Sequence, residues 1–375
     1  MKETIKKLLP KLILFLILTI VVIVVIFSLN DISKIGEVLK NVHIGWLSIA
    51  FVFLLLYMIF YPMPLFFLGR SKEEGNVRWI DTAMIGSIEY FFNGITPFSS
   101  GGQPFQIYSY NKVGVSFHRA SGIILMNFVI CQISVVLLCL GSLFFFNELT
   151  QGTLYLQIMI GVGLGMNLLI MSLFCSVGLS KTVRNLLSRF VGWILNWKIF
   201  KGKLSRFEAS FAEYCSGAQN TFKSLLSQKL KFFFCIILKL IGLLSYYMIP
   251  FFILKALRIE IGVDKLPVIV AMTTFSIAMT CYIPTPGATG GIEFAFRELF
   301  VSIIPAMIPA VATSGLLLWR FITYYFLMLV SFIIYLIFEQ VVAYRHRKEK
   351  KQDNNVIIEE FSDLPEVEIE TKKEE

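Results

Sequence analysis

The stretch "TPFSSGGQPFQIY", Thr96–Tyr108, decides how this chain is read, because a near copy, "TPGATGGIEFAFR", follows at Thr285–Arg297. Both copies run Thr-Pro, a variable residue, a small residue, Ser or Thr, then Gly-Gly. Both lie inside long apolar regions, 80–110 and 266–300. Pro97, Gly101, Gly102 and Pro104 interrupt the first, and Pro284, Pro286, Gly287, Gly290 and Gly291 the second. A proline removes a backbone donor and costs a helix interior about 3 kcal/mol. At membrane depth such a break is tolerated only where it is buried in protein or lines a wet cavity. The spacing therefore predicts two re-entrant hairpins or discontinuous helices.

The rest of the chain has the composition of a polytopic membrane protein. Of its 375 residues 56% are hydrophobic and 16% charged, and 36 are phenylalanine; the mean hydropathy is +0.74. Apolar runs at 12–29, 46–68, 120–146, 153–177, 232–254 and 310–340 are each near or above the roughly 20 residues that a bilayer core requires. The run at 12–29 has basic residues before it but no small-x-small cleavage site after it, so it reads as an uncleaved first helix. The expected fold is all-α, with about six full spans and two broken-helix hairpins in one membrane domain, 1–344. A basic loop, 178–231, and a charged, disordered tail, 345–375, complete it.

The net charge of +9 is carried by residues that flank the spans, which argues for membrane orientation and against nucleic-acid binding. Lys2, Lys6, Lys7 and Lys11, then Arg70, Lys72 and Arg78, then the 178–231 loop and "YRHRKEKK" all read as cytoplasmic. That assignment puts both termini inside. Three crossings separate the two hairpins, so the second enters from the opposite side. This is the pattern of an inverted repeat whose broken helices meet near the midplane and hold a substrate. The competing reading is that the glycines only allow close helix packing.

Six scattered cysteines without a CxxC, and three histidines far apart, suggest neither a disulfide framework nor a metal site. No cofactor is expected. Ionisable groups at membrane depth mark sites by default. They are Glu89 before the first motif, Glu293, Arg297 and Glu298 around the second, and Arg320 in the last span. Gln103 and Gln106 add amides. Gly101 and Gly102, like Thr285, Gly290 and Gly291, sit where a helix N-terminus would offer free N–H groups to an anion. Thr289 is placed to cap the second helix. Glu293 and Arg297 lie four apart, in the order that favours an ion pair on one helix face.

Three segments carry a family resemblance: "TPFSSGGQPFQIYSYNKVGVSFHRASGIILMNF" (96–128), "YIPTPGATGGIEFAFRELF" (282–300) and "LLWRFITYY" (317–325). Together they resemble the transmembrane region of the lysylphosphatidylglycerol synthase family, the multiple-peptide-resistance-factor proteins, over roughly residues 10–340. The resemblance implies a flippase for aminoacylated phosphatidylglycerol in the bacterial cytoplasmic membrane, contributing to resistance to cationic antimicrobial peptides. It implies roles for Gly101, Gly102, Gln103, Pro104 and Gln106, for Pro284, Pro286, Gly287, Gly290, Gly291 and Glu293, and for Arg320. The family's cytoplasmic lysyl-transfer domain has no counterpart expected in 345–375, which is too short for a domain core. Two alternatives stay open. One is a phosphatidylglycerol lysyltransferase, or the membrane partner of a separate synthase or glycosyltransferase. The other is a transporter of polyprenyl-phosphate or glycolipid.

Overall fold

The computed structural model describes residues 40–70, 77–186, 189, 205–280, 282–303 and 309–362. The expected first span, 12–29, lies outside them. Every regular element among the described residues is helical, and six helices are long and apolar enough to cross a membrane: Ile44–Gly69, Phe117–Thr150, Leu154–Leu179, Lys229–Ala256, Val263–Thr280 and Val311–Lys348. Five correspond to expected spans. The sixth, Val263–Thr280, is the first arm of the region read from sequence as a hairpin.

In chain order, α1 (Ile44–Phe60) and α2 (Met63–Gly69) are two halves of one span. Pro62 and Pro64 divide it, because neither can donate to the carbonyl a turn behind. The first motif joins α3 (Trp79–Ile95) to α4 (Gly102–Lys112). Then come α5 (Phe117–Ser142), the short α6 (Phe146–Thr150) and α7 (Leu154–Leu179). An amphipathic helix, α8 (Ser205–Ser227), precedes α9 (Lys229–Ala256). The second motif joins α10 (Leu266–Thr280) to α11 (Gly291–Ile303). Finally α12 (Pro309–Arg320) passes through a π-helical turn, Phe321–Phe326, into α13 (Leu327–Ser362).

Two expectations change. The 178–231 region is not simply a loop: α8 packs along α5 and α7. Gln219 donates to the carbonyls of Val177 (2.6 Å) and Ser180 (3.0 Å), and Phe222 fills the space over Gly178. The amphipathic pattern of α8 has found a protein surface. The charged tail is also helical as far as Ser362, as a continuation of α13, and 363–375 lies outside the described residues.

The buried apolar residues form two clusters. One gathers α1, α9, α10, α11 and α12, and includes Phe275, Phe296 and Trp319. The other gathers α3, α5, α8 and α13, and includes Phe91, Phe92, Tyr110 and Phe338. Each broken helix thus has its own core. The outer faces carry exposed Leu137, Phe144, Val162, Leu169, Phe233, Ile237, Ile333 and Ile337, an apolar surface suited to lipid.

The tightest helix pair is α1 against α9, where Gly242 meets the Tyr61 backbone. A Cβ at Gly242 would stand 2.7 Å from Tyr61 N and 2.9 Å from Tyr61 Cα. Backbone cannot swing away as a side-chain tip can. Gly242→Ala is therefore expected to lose about 1–3 kcal/mol, the usual cost of overpacking. It should melt well below the parent in detergent, while Gly161→Ala, which meets nothing within 4 Å, should not.

Candidate functional site

The two motifs share one backbone path. Thr96 (φ −112°, ψ 146°) and Thr285 (φ −114°, ψ 151°) are extended, and each is followed by a single 3-10 turn, Pro97–Ser99 and Pro286–Ala288. The second turn residue is left-handed in both: Phe98 at φ 57°, ψ 14° and Gly287 at φ 59°, ψ 25°. The third is left-handed too, Ser99 at φ 48° and Ala288 at φ 54°. The paths part at the next residue, where Ser100 (φ −104°, ψ −4°) is helical and Thr289 (φ −62°, ψ 139°) extended, and they differ again at the first glycine, where Gly290 has φ +91° and Gly101 φ −75°. Two successive left-handed residues are an uncommon backbone for Phe98, Ser99 and Ala288, which are not glycine, and both turns adopt it. The two turns also pack directly against each other.

Around the first turn the protein satisfies its own amides. Thr96 Oγ1 accepts from Gly101 N–H at 2.9 Å, and Asn93 Oδ1 accepts from Gly102 N–H at 2.8 Å. These N–H groups, expected to await an anion, are already capped from within. Asn93 in turn donates to Glu89 Oε1 at 3.3 Å, and Gln106 Nε2 donates to Glu89 Oε2 at 3.2 Å and to the Ile85 carbonyl at 3.3 Å. Glu89 and Gln106 are buried. Gln103, on the same helix, is partly exposed and not part of this network.

Around the second turn, Glu293 takes the capping role that sequence assigned to Thr289. Its Oε2 accepts from Gly290 N–H at 2.7 Å, and its Oε1 accepts from Arg320 Nε at 2.6 Å. The expected pair within α11 is corrected: Glu293 reaches Arg320 on α12, and Arg297 is exposed. Glu298 instead accepts from the Tyr155 hydroxyl on α7. Arg320 also donates to the Gly287 carbonyl and to Thr289 Oγ1, both at 3.3 Å, and lies 4.5 Å over the Tyr324 ring. Thr285 Oγ1 donates to the Thr289 carbonyl at 2.9 Å. Gly291 starts α11 with Ile283 against it. The long-range pair won because Arg320 ends α12 beside the turn, where it meets a carboxylate and two turn oxygens together.

The last helix connects the centres. The π turn directly follows Arg320, and such turns often sit at functional sites. It aims Tyr324 between the motifs, where its hydroxyl donates to the Gly94 carbonyl at 2.9 Å and its ring covers Gly287.

One buried charge was missed in the sequence reading. Lys239, in α9, is fully buried. Its ammonium donates to the Tyr61 carbonyl at 2.6 Å and lies 3.7 Å over the Tyr61 ring. That carbonyl is freed by the proline break between α1 and α2, where Leu65 N–H turns to the Pro62 carbonyl instead. Tyr61 in turn packs against Tyr57 and Tyr90, and Tyr57 against Tyr90 and Tyr246, with tilted rings whose centroids are 4.7–5.9 Å apart. The signal was available: a lysine inside the run "FFFCIILKLIGLL" is an intramembrane charge by inspection.

Among the described residues no group of His, Cys, Asp and Glu could hold a metal. None of the curated proteins compared matches the chain. Residues 12–331 match the family model described as "Lysylphosphatidylglycerol synthase TM region". With two broken helices, six apolar spans and that match, the chain is a multi-pass membrane protein and belongs to the family of lysylphosphatidylglycerol synthase transmembrane regions.

Proposed function

We propose that this protein moves an anionic phospholipid, phosphatidylglycerol or its aminoacyl derivative, between the leaflets of the bacterial cytoplasmic membrane. The observation that carries the reading is the meeting of two broken helices with the same backbone path, with the buried Arg320–Glu293 pair beside them. Broken helices that meet in this way are where transporters built from inverted repeats hold their substrates. In this reading the two hairpins enter from opposite sides, both termini are cytoplasmic, and rocking of the two clusters exposes the turns to each leaflet alternately. The head group's phosphate competes with Glu293 for the Arg320 guanidinium, whose planar fork suits a phosphate. An aminoacyl ammonium is met by the carboxylate so released. Gly101 and Gly102 shape the turn rather than bind, since their amides are capped. Where the aminoacyl derivative is carried outward, less negative outer-leaflet charge follows, and with it weaker attraction of cationic peptides.

Reconstituted in liposomes, the chain is expected to speed leaflet exchange of labelled phosphatidylglycerol over that of a zwitterionic lipid. Given lysyl-tRNA and phosphatidylglycerol, it is expected to form no aminoacyl lipid. Robust lysyl transfer would replace this reading with the synthase. Exchange of a polyprenyl-phosphate in preference to phospholipid would replace it with that substrate.

A further inference from the structure

We propose that Glu89, with Gln106 as its reader, is a proton-binding site that couples proton uptake to the first broken helix. The coupling half of this proposal rests on the translocation reading above; the proton site does not.

The argument starts from an unsatisfied atom. Gln106 is fully buried, and its Oε1 has no hydrogen-bond partner, while its Nε2 donates to both Glu89 and the Ile85 carbonyl. A buried acceptor left unmade costs roughly 1–3 kcal/mol and calls for a reason. The charge state of Glu89 supplies one. An ionised carboxylate can only accept, so it holds the amide with its NH2 inward and leaves Oε1 unpaired. A carboxylic acid has an O–H to donate. The two ends of an amide have nearly the same shape, so Gln106 can turn end for end. The Glu89 Oε2–H then donates to Gln106 Oε1 in place of the present Nε2 bond, and Nε2 gives up the Ile85 carbonyl as well. The proton comes from water and leaves to water, and the carboxyl O–H is the one covalent bond made or broken.

The surroundings suit a group that alternates between charged and neutral forms. Glu89 is buried at 6% exposure, and both oxygens are held by neutral amides rather than by a contacting cation. Facing the same compartment are Tyr57 from α1, Tyr61 from the break after it, Tyr90 from α3, Cys131 from α5 and Lys239 from α9. The ammonium of Lys239 is committed to the Tyr61 carbonyl and ring. On the remaining neighbours, α4 presents Gln106 and α13 presents Ser331, which bonds to the α3 backbone at Ser87 and Phe91.

The same cluster touches the turn. Glu89 holds Asn93, and Asn93 Oδ1 caps Gly102 N–H; a Cβ on Gly102 would lie 2.6 Å from Glu89 Cγ. Gln106 is one turn into the helix that Gly102 begins. Protonation therefore rearranges the partners on both arms of the hairpin at once.

Infrared difference spectra of the purified chain in liposomes, acidic minus alkaline, test the site. A protonated-carboxyl carbonyl band is expected to grow on acidification. It should vanish in Glu89→Gln and shift in Gln106→Leu, which keeps the carboxyl but removes its acceptor. The isosteric Glu89→Gln keeps the fold, and the Gln106→Leu shift gives an independent reading should that variant not accumulate. A difference spectrum unchanged by both substitutions would overturn the proton site. In the same liposomes, a pH difference across the membrane should change the rate of phosphatidylglycerol exchange in the parent and leave Glu89→Gln indifferent to it. Exchange in the parent that ignores the gradient would overturn the coupling. A Glu89 band with no lipid exchange under any condition would uphold the proton site and remove the translocation reading instead.

Discussion

Arg320→Ala is expected to abolish lipid exchange and to destabilise the protein by about 3–5 kcal/mol, because it leaves the Glu293 carboxylate buried without its partner. The pair is short, 2.6 Å, and both side chains are mostly out of solvent, at 5% for Arg320 and 12% for Glu293. Glu293→Gln is expected to be milder for stability, since its one amide oxygen can still accept from either Gly290 N–H or Arg320. Its exchange should nevertheless be lost, because no carboxylate is left to trade places with the head group. The double variant Glu293→Gln with Arg320→Gln separates the two effects. It removes both charges together, so melting temperature should recover toward the parent while exchange stays absent. Recovery of exchange along with stability would show that the pair only holds the fold, and the site would have to be sought elsewhere.

The second large effect is expected at Gly287. Its φ of +59° costs a residue with a Cβ about 1–2 kcal/mol. Worse, a Cβ there would stand 2.3 Å from Tyr324 Cε2 and 2.7 Å from its Cζ. The ring cannot yield easily, being held by the Gly94 carbonyl and by Arg320. Gly287→Ala should therefore fail in both stability and exchange. Gly290→Ala, at φ +91° with nothing within 4 Å, should show only the backbone strain. The matching position of the first motif is Phe98, which carries a full side chain at φ 57° because it is 55% exposed and no ring covers it. Tyr324→Leu is accordingly expected to restore stability, though not exchange, to Gly287→Ala. Failure of that rescue, measured by melting in detergent, would mean that backbone strain and not the ring sets the requirement for glycine.

The Phe98 and Gly287 comparison also shows how far the sequence can be read. The two turns were legible because Thr-Pro imposes backbone, and the turn that follows it is what the two stretches share. Five of the spans were legible from apolar length. Partner choice was not. Glu293 and Arg297 satisfy a local helix rule, but Arg320, 27 residues away, offers a dry, preorganised contact that an exposed neighbour cannot match. The free amides expected at the Gly-Gly steps were filled by Asn93, Thr96 and Glu293, side chains whose reach depends on the turn itself. Lys239 was visible but went unread, and only the proline break in a different span explains what it holds. The helix in 178–231 was hidden because a basic amphipathic pattern fits lipid and protein surfaces equally well.

The attachments of α13 follow one another along its length. Tyr324 holds Gly94 at the tip of the first hairpin, and Ser331 holds the middle of α3. Glu339 is paired with Lys112 at the end of α4, and Arg345 with Asp81 at the start of α3, at 2.6 and 2.7 Å. Mechanically this is a connecting rod pinned to one half of a machine at four points, with its head, Arg320, hooked onto the other half. The rod from Arg320 to Arg345 is roughly 38 Å long at 1.5 Å per residue. Its only irregular joint among the described residues is the π turn next to the hook. Force on the Arg345 end is thus delivered to the first hairpin as a unit. In the translocation reading, the slack that rocking needs is taken up in the six residues Phe321–Phe326, within reach of the Glu293 clasp.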